Sequence, residues 1–124
     1  MTESGILAVM NTRFDHEKLD VYRASIAFVL VVDEIFKVLP RGRAYLKDQL
    51  QRAGSSIALN IAEGAGEFSP NEKIRFYRMA KRSGTECASI LDICCHLRIV
   101  DPELYSRGRE LLLRIVAMLT KLAR

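Results

Sequence analysis

The chain has 124 residues, of which 49% are hydrophobic, a balance that supports one domain with a real core and excludes a disordered chain. Residues 1–40 carry four basic and six acidic side chains, a net −2, so the remainder must hold +6 to reach the total of +4. This bias is compatible with a nucleic-acid partner, although many basic small proteins bind none.

Residues 1–15 lack helical periodicity and are expected to form a tail, which leaves one domain over residues 16–124. The tail lacks the basic segment of a secretory signal, so we expect a cytoplasmic protein. Its three cysteines, an odd number, are expected to be reduced and mostly buried: Cys87, Cys94 and Cys95. Two of them and His96 are consecutive and would point about 100° apart on a helix. We therefore expect no metal site and no cofactor.

The first predicted helix runs from about His16 to Leu39 and is apolar on more than half of its circumference, so we expect neighbours on two sides. Its apolar run over residues 24–32 is far shorter than the ~20 residues that a membrane span needs. One stripe at three- and four-residue spacing contains Leu19, Tyr22, Ile26, Val29 and Phe36, and it is widened by Phe28, Val31, Val32 and Ile35.

The second predicted helix runs from about Arg43 to Glu63, and the glycines that follow are expected to close it in a left-handed conformation. Its core-facing residues are Leu50, Ala53, Ile57, Ile61 and Gly64. A second row at the same spacing is wholly polar: Gln49, Arg52, Ser56, Asn60 and Glu63. Because serine and asparagine are weak helix formers, this row suggests packing against another helix or subunit. The alternative is an ordinary solvated face.

Two prolines mark the starts of the last two helices. Ser69-Pro70 begins the third, with Glu72 completing a capping box, and Asp101-Pro102 begins the fourth, which runs to the C-terminus. The third helix is expected to reach Ile99, and its small residues would let a neighbouring helix approach closely: Ala80, Ser83, Gly84 and Cys87. Four helices joined by short turns predict an all-α, antiparallel up-down-up-down four-helix bundle.

Catalysis finds little support in the sequence. Neither His16 nor His96 has a glutamate three residues before it, as di-iron bundles require, so we expect no enzyme. The strongest charge feature is a basic cluster on the third helix: Arg75, Arg78, Lys81 and Arg82. It is either a solvated face opposite the core or a patch that tracks phosphates.

The segment 49–64 resembles the signature of a family of four-helix-bundle proteins first noticed as products of intervening sequences in bacterial 23S ribosomal RNA genes. The most specific part of the match is Asn60-Ile-Ala-Glu-Gly64, and the resemblance extends over about residues 17–122. Gln51 stands where the family usually has arginine, and Arg82 replaces a small glycine at a position where we expect tight packing. Further matches are Arg75-Phe76, Ala80, Ser83 and Glu86.

This resemblance implies a cytoplasmic, non-enzymatic bundle that assembles into a homopentamer. A related accessory protein of diversity-generating retroelements is a basic pentamer that binds a reverse transcriptase and nucleic acid. The predicted function is therefore RNA or DNA binding, or scaffolding, through the basic cluster. The alternative is a protein-interaction module, such as a partner of a reverse transcriptase, without nucleic-acid binding. The resemblance also implies a structural polar row, within or between subunits: Arg52, Ser56, Asn60, Glu63 and Glu86.

Overall fold

A computed structural model describes residue 2 and residues 13–124, and this part of the chain contains four α-helices and no strand. A 3₁₀ helix, Asp15–Lys18, precedes α1 (Asp20–Val38), α2 (Ala44–Ala65), α3 (Pro70–His96) and α4 (Pro102–Leu122). The all-α prediction is therefore confirmed. The predicted tail lies mostly outside the described residues.

Each helix packs against the next one along the chain, and α4 also packs against α1, which closes the bundle. Gly64, late in α2, lies beside Tyr77, early in α3. Further back along α2, Ser56 accepts a hydrogen bond from Ser83, which lies further forward along α3. The same order holds where Asp92 of α3 meets Tyr105 of α4. These contacts are antiparallel, as an up-down-up-down bundle requires.

The helix starts follow local capping chemistry. Ser69 Oγ accepts a hydrogen bond from the Glu72 N–H at 3.4 Å, and Asp101 Oδ1 accepts one from the Leu104 N–H at 2.9 Å. The capping box is wrong in its second half, because the Glu72 carboxylate accepts from Arg75. The extended backbone of Leu19 (φ −89°, ψ 131°) separates the 3₁₀ helix from α1, which therefore begins later than predicted.

Helix α3 ends at His96, three residues before the predicted end. Arg98 adopts the left-handed conformation, with φ 59°, and the Ile99 N–H donates to the Cys94 carbonyl at 3.1 Å. A left-handed residue with a side chain is uncommon because its Cβ crowds the backbone. The pattern of apolar and polar residues over 97–99 did not predict that the helix would end before them or that Arg98 would be left-handed.

The predicted core face of α2 is correct, since its five residues are all buried. The predicted stripe of α1 is centred on the wrong face. Ile26 is 40% exposed, whereas Phe28, Val31, Val32 and Ile35 form the buried face. The helix is apolar around so much of its surface that periodicity alone did not distinguish its centre from its margin. Its contacts with both α2 and α4 explain that breadth.

Gly64 and Gly66 do not close α2 in the predicted left-handed conformation, because Gly66 has φ −85° and ψ −5°. The Lys73 ammonium closes the helix instead, donating to the carbonyls of Gly64 at 2.9 Å and Ala65 at 3.1 Å. Gly64 is needed for a different reason: a Cβ there would lie 2.8 Å from the Tyr77 ring. The glycine sets how closely α2 and α3 approach each other.

We expect Gly64→Ala to lower the free energy of unfolding by about 1–3 kcal/mol, because the buried Tyr77 ring would have to move. Gly66→Ala is the matched control, since its Cβ would meet no atom closer than 3.7 Å and its φ suits alanine. Urea unfolding of both variants measures the difference. Equal effects of the two substitutions would contradict the packing role of Gly64.

Candidate functional site

The middle of the polar row forms a hydrogen-bonded cluster between α2 and α3. Asn60 Nδ2 donates to the Ser56 hydroxyl and to the Ser56 carbonyl, both at 2.9 Å. Ser83 Oγ, on α3, donates to Ser56 Oγ at 2.9 Å. All three side chains are half-buried. Ser56 is therefore the shared acceptor of a small polar cluster at the helix interface.

The charged members of the polar row do not join this cluster. Arg52 and Glu86 line a groove of about 330 Å³ between α2 and α3, together with Gln49, and both are exposed. No ion pair connects them within the part of the chain that the structure describes, and Glu63 is exposed and also unpaired there. The row thus divides into a packed centre and solvated charged ends.

The basic cluster faces away from the core along α3. Arg75, Arg78 and Arg82 are exposed and line one groove of about 700 Å³ with Asn71, Ile74 and Met79. Lys81 is half-buried at the margin of this face. The expectation of tight packing at Arg82 is wrong, because the small residue that fits against α4 is Gly84, whose Cβ would meet Val116 at 3.4 Å.

The four cations of the basic cluster differ in their partners. Arg75 donates to Glu72 Oε2 from Nε at 3.1 Å and from a terminal nitrogen at 2.9 Å, and its guanidinium lies over the Phe76 ring at 4.7 Å. The hydrogen bond and charge of Glu72, with a smaller effect of Glu67, raise the pKa of Arg75. Arg78, Lys81 and Arg82 make no ion pair with any described residue.

The histidines and cysteines of the described residues do not come together in one site. His16 stacks on Phe14 and meets the edge of Tyr22, whereas His96 Nδ1 lies 2.8 Å from the Asp92 carbonyl at the far end of α3. Burial, helped by the charge of Glu86, raises the pKa of Cys87 to about 12. In the described residues, no three His, Cys, Asp or Glu side chains are placed to hold a metal ion.

Several contacts were not predicted from the sequence. Ser25 is completely buried and donates to the Tyr22 carbonyl at 2.6 Å, so it belongs to the core face of α1. The Tyr105 hydroxyl donates to Asp92 at 2.8 Å and links α4 to α3. An apolar groove of about 670 Å³ between α1 and α4 is flanked by the exposed side chains of Leu30 and Leu113. The amphipathic pattern of the two helices could have indicated this exposed leucine pair.

The fold and this arrangement define a small all-helical bundle with a polar cluster at one helix interface and a basic groove beside it. The family described as 23S rRNA-intervening sequence protein matches residues 17–121, and the chain belongs to that family. It is also similar in fold to a crystal structure of a protein with unknown function from the S23 ribosomal protein family of Bacteroides thetaiotaomicron. That match has a TM-score of 0.77 at 21% identity and covers 84% of this chain and 98% of the other.

No curated protein matches the chain. Among the helices that the structure describes, none combines the length and the hydropathy that crossing a membrane would require.

The Ser56 cluster should couple the two helices energetically. We expect a double-mutant cycle of Ser56→Ala and Ser83→Ala to give a coupling of about 0.5–1.5 kcal/mol, because each variant alone leaves a half-buried hydroxyl without its partner. Ser55→Ala combined with Ser83→Ala is the control, since Ser55 is exposed and lines a groove with α1 residues. Additive effects in the Ser56 cycle would show that water replaces the bond without loss.

Proposed function

We propose that this chain is a non-enzymatic cytoplasmic bundle that binds nucleic acid through the basic cluster of α3. The observation that carries the proposal is the set of cations without an acidic partner among the described residues: Arg78, Lys81 and Arg82. Cations that are not held in an ion pair can contact phosphates and release counterions. RNA and DNA both carry such phosphates, so the charge argument applies to either, and RNA is the probe for the tests.

The arginines of the basic cluster differ in how readily they could bind a phosphate. Arg75 is already held by Glu72 and by the Phe76 ring, so a phosphate would compete with a carboxylate for its guanidinium. Arg78 and Arg82 are exposed, four residues apart on α3, and line the same groove. Residues at this spacing share one helix face, so both can contact the same strand. They are the principal phosphate contacts of the proposal.

A second candidate function is protein interaction, and a specific observation favours it. Leu30 and Leu113 are 64% and 58% exposed and lie on the groove between α1 and α4, next to charges of both signs from Arg107, Glu110 and Arg114. Exposed apolar side chains with a charged rim are typical of protein contacts. Assembly of copies of this chain, a pentamer by resemblance, or a partner such as a reverse transcriptase could use this face.

Removing Arg78 and Arg82 tests nucleic-acid binding. We expect Arg78→Ala with Arg82→Ala to weaken the binding of single-stranded and duplex RNA probes and to reduce the slope of log affinity against log salt by about 2, one for each lost phosphate contact. Fluorescence polarisation from about 50 to about 200 mM salt measures both quantities.

The control for that variant removes the same charge elsewhere. Arg114→Ala with Lys121→Ala also lowers the net charge by two, but both residues lie on α4. If the two double variants weaken binding equally, net charge rather than the basic cluster attracts the probe. If the parent protein retains neither probe at the lowest salt, nucleic-acid binding is rejected and the protein-interaction function remains.

Oligomerisation is tested by light scattering. We expect a mass that is a multiple of the 14.0 kDa chain, near five-fold if the pentamer is correct. Leu30→Ser with Leu113→Ser should shift the mass toward one chain if the α1–α4 groove is the interface, because each change removes exposed apolar surface there. Leu59→Ser, at an exposed leucine on the groove between α1 and α2, is the matched control. A monomeric parent protein would exclude the oligomer.

A further inference from the structure

Phe68 is the most exposed large apolar side chain in the described part of the chain. Its relative exposure is 101%, so no described residue covers its ring. Phenylalanine is among the residues that proteins most often bury, and a ring in this position exposes both faces to water. The residue lies in the turn between α2 and α3, directly before the Ser69 cap of α3. Its ring contributes no visible packing to the fold.

The turn that carries Phe68 lies at the end of the basic cluster. The groove that contains Arg75, Arg78 and Arg82 begins at Asn71, in the first turn of α3 and three residues after Phe68. An exposed aromatic ring therefore directly precedes the helix that carries the row of cations, and the first residue of the groove lies in the first turn of that helix.

The groove itself is not purely cationic. Ile74, which is half-buried, and Met79, which is 38% exposed, contribute apolar surface between the arginine side chains. Phosphates alone would not use such surface, whereas the faces of unpaired bases would. The combination of apolar wall, exposed ring and unpaired cations is the composition of a surface that binds single strands, where aromatic side chains stack on bases and cations follow the backbone.

We propose that the basic cluster binds single-stranded rather than duplex nucleic acid and that Phe68 stacks on one of its unpaired bases. This inference rests on the nucleic-acid binding proposed above and specifies the class of strand. In a duplex the base faces are covered by their neighbours, so Phe68 could reach one only by intercalation, which requires unstacking a base step. A single strand offers its base faces without that cost. The cations of the groove favour a phosphate-bearing ligand over an uncharged apolar one.

The experiment compares one labelled RNA strand of mixed sequence with the same strand annealed to its complement, each titrated with the full chain. We expect tighter binding of the single strand, and we expect Phe68→Ala to weaken that binding about 5- to 100-fold while changing duplex binding little. Leu59→Ala is the matched control, because Leu59 is 65% exposed on α2 and lines a groove with α1 residues. Because Phe68 is fully exposed, Phe68→Ala should keep the unfolding midpoint of the parent protein.

A second variant reports the stacking directly. The chain contains no tryptophan, so Phe68→Trp introduces a unique fluorophore while keeping an aromatic ring. We expect this variant to bind the single strand at least as tightly as the parent protein and its fluorescence to be quenched by the single strand but not by the duplex.

The outcomes separate this inference from the function on which it rests. Salt-sensitive binding that is unaffected by Phe68→Ala, or that is as tight for the duplex as for the single strand, overturns the inference and leaves nucleic-acid binding intact. Equal loss of both probes in Phe68→Ala also overturns it, because stacking on an unpaired base cannot affect a duplex in the same way. Binding of neither probe by the parent protein overturns both proposals.

Discussion

Helices α2 and α3 approach each other closely where small residues meet a neighbour on the other helix, and much of the structure depends on this contact. At one end the Tyr77 ring occupies the space that a Cβ of residue 64 would need. In the middle, the hydroxyls of Ser56 and Ser83 meet at 2.9 Å. Because the contact fixes the rotation of α3, it also decides which residues of that helix face solvent. Successive residues are about 100° apart around a helix. Because Tyr77 is buried, residues that lie about 100–160° from it around the helix axis face solvent.

That rotation explains the character of the basic groove. Arg75, Arg78 and Arg82 lie on the outward face, whereas Lys81, closer to the buried side, is half-covered. Their charges are then distributed by local partners. Glu72 holds Arg75 one turn away, and the other cations make no ion pair with any described residue. An exposed i,i+3 ion pair contributes little to stability, so its main effect here is to reduce the charge at one end of the groove.

The polar row shows why residue type and spacing were not enough to assign a role. Its members share one stripe of α2 in the sequence, yet only Ser56 and Asn60 lie where α3 approaches closely enough to bury them in part. Arg52 and Glu63 project into solvent at either end. Long charged side chains reach water from positions where short ones cannot, so the same stripe is packed at its centre and solvated at its ends.

The sequence by itself determined the helical class, the number of helices and the capped starts of α3 and α4, because the apolar period and the Ser-Pro and Asp-Pro dipeptides act locally. It also predicted the buried face of α2 and the residues of the basic cluster. The tertiary structure alone decided the centre of the α1 core face, the end of α3 at a left-handed Arg98, and the reason for Gly64. It likewise decided which cations make no ion pair with a described residue and that no described residue covers Phe68. The left-handed Arg98 is a local conformation that the apolar pattern does not record. The other features depend on the arrangement of residues far apart in the chain, and periodicity within one helix carries no information about what the neighbouring helix places opposite it.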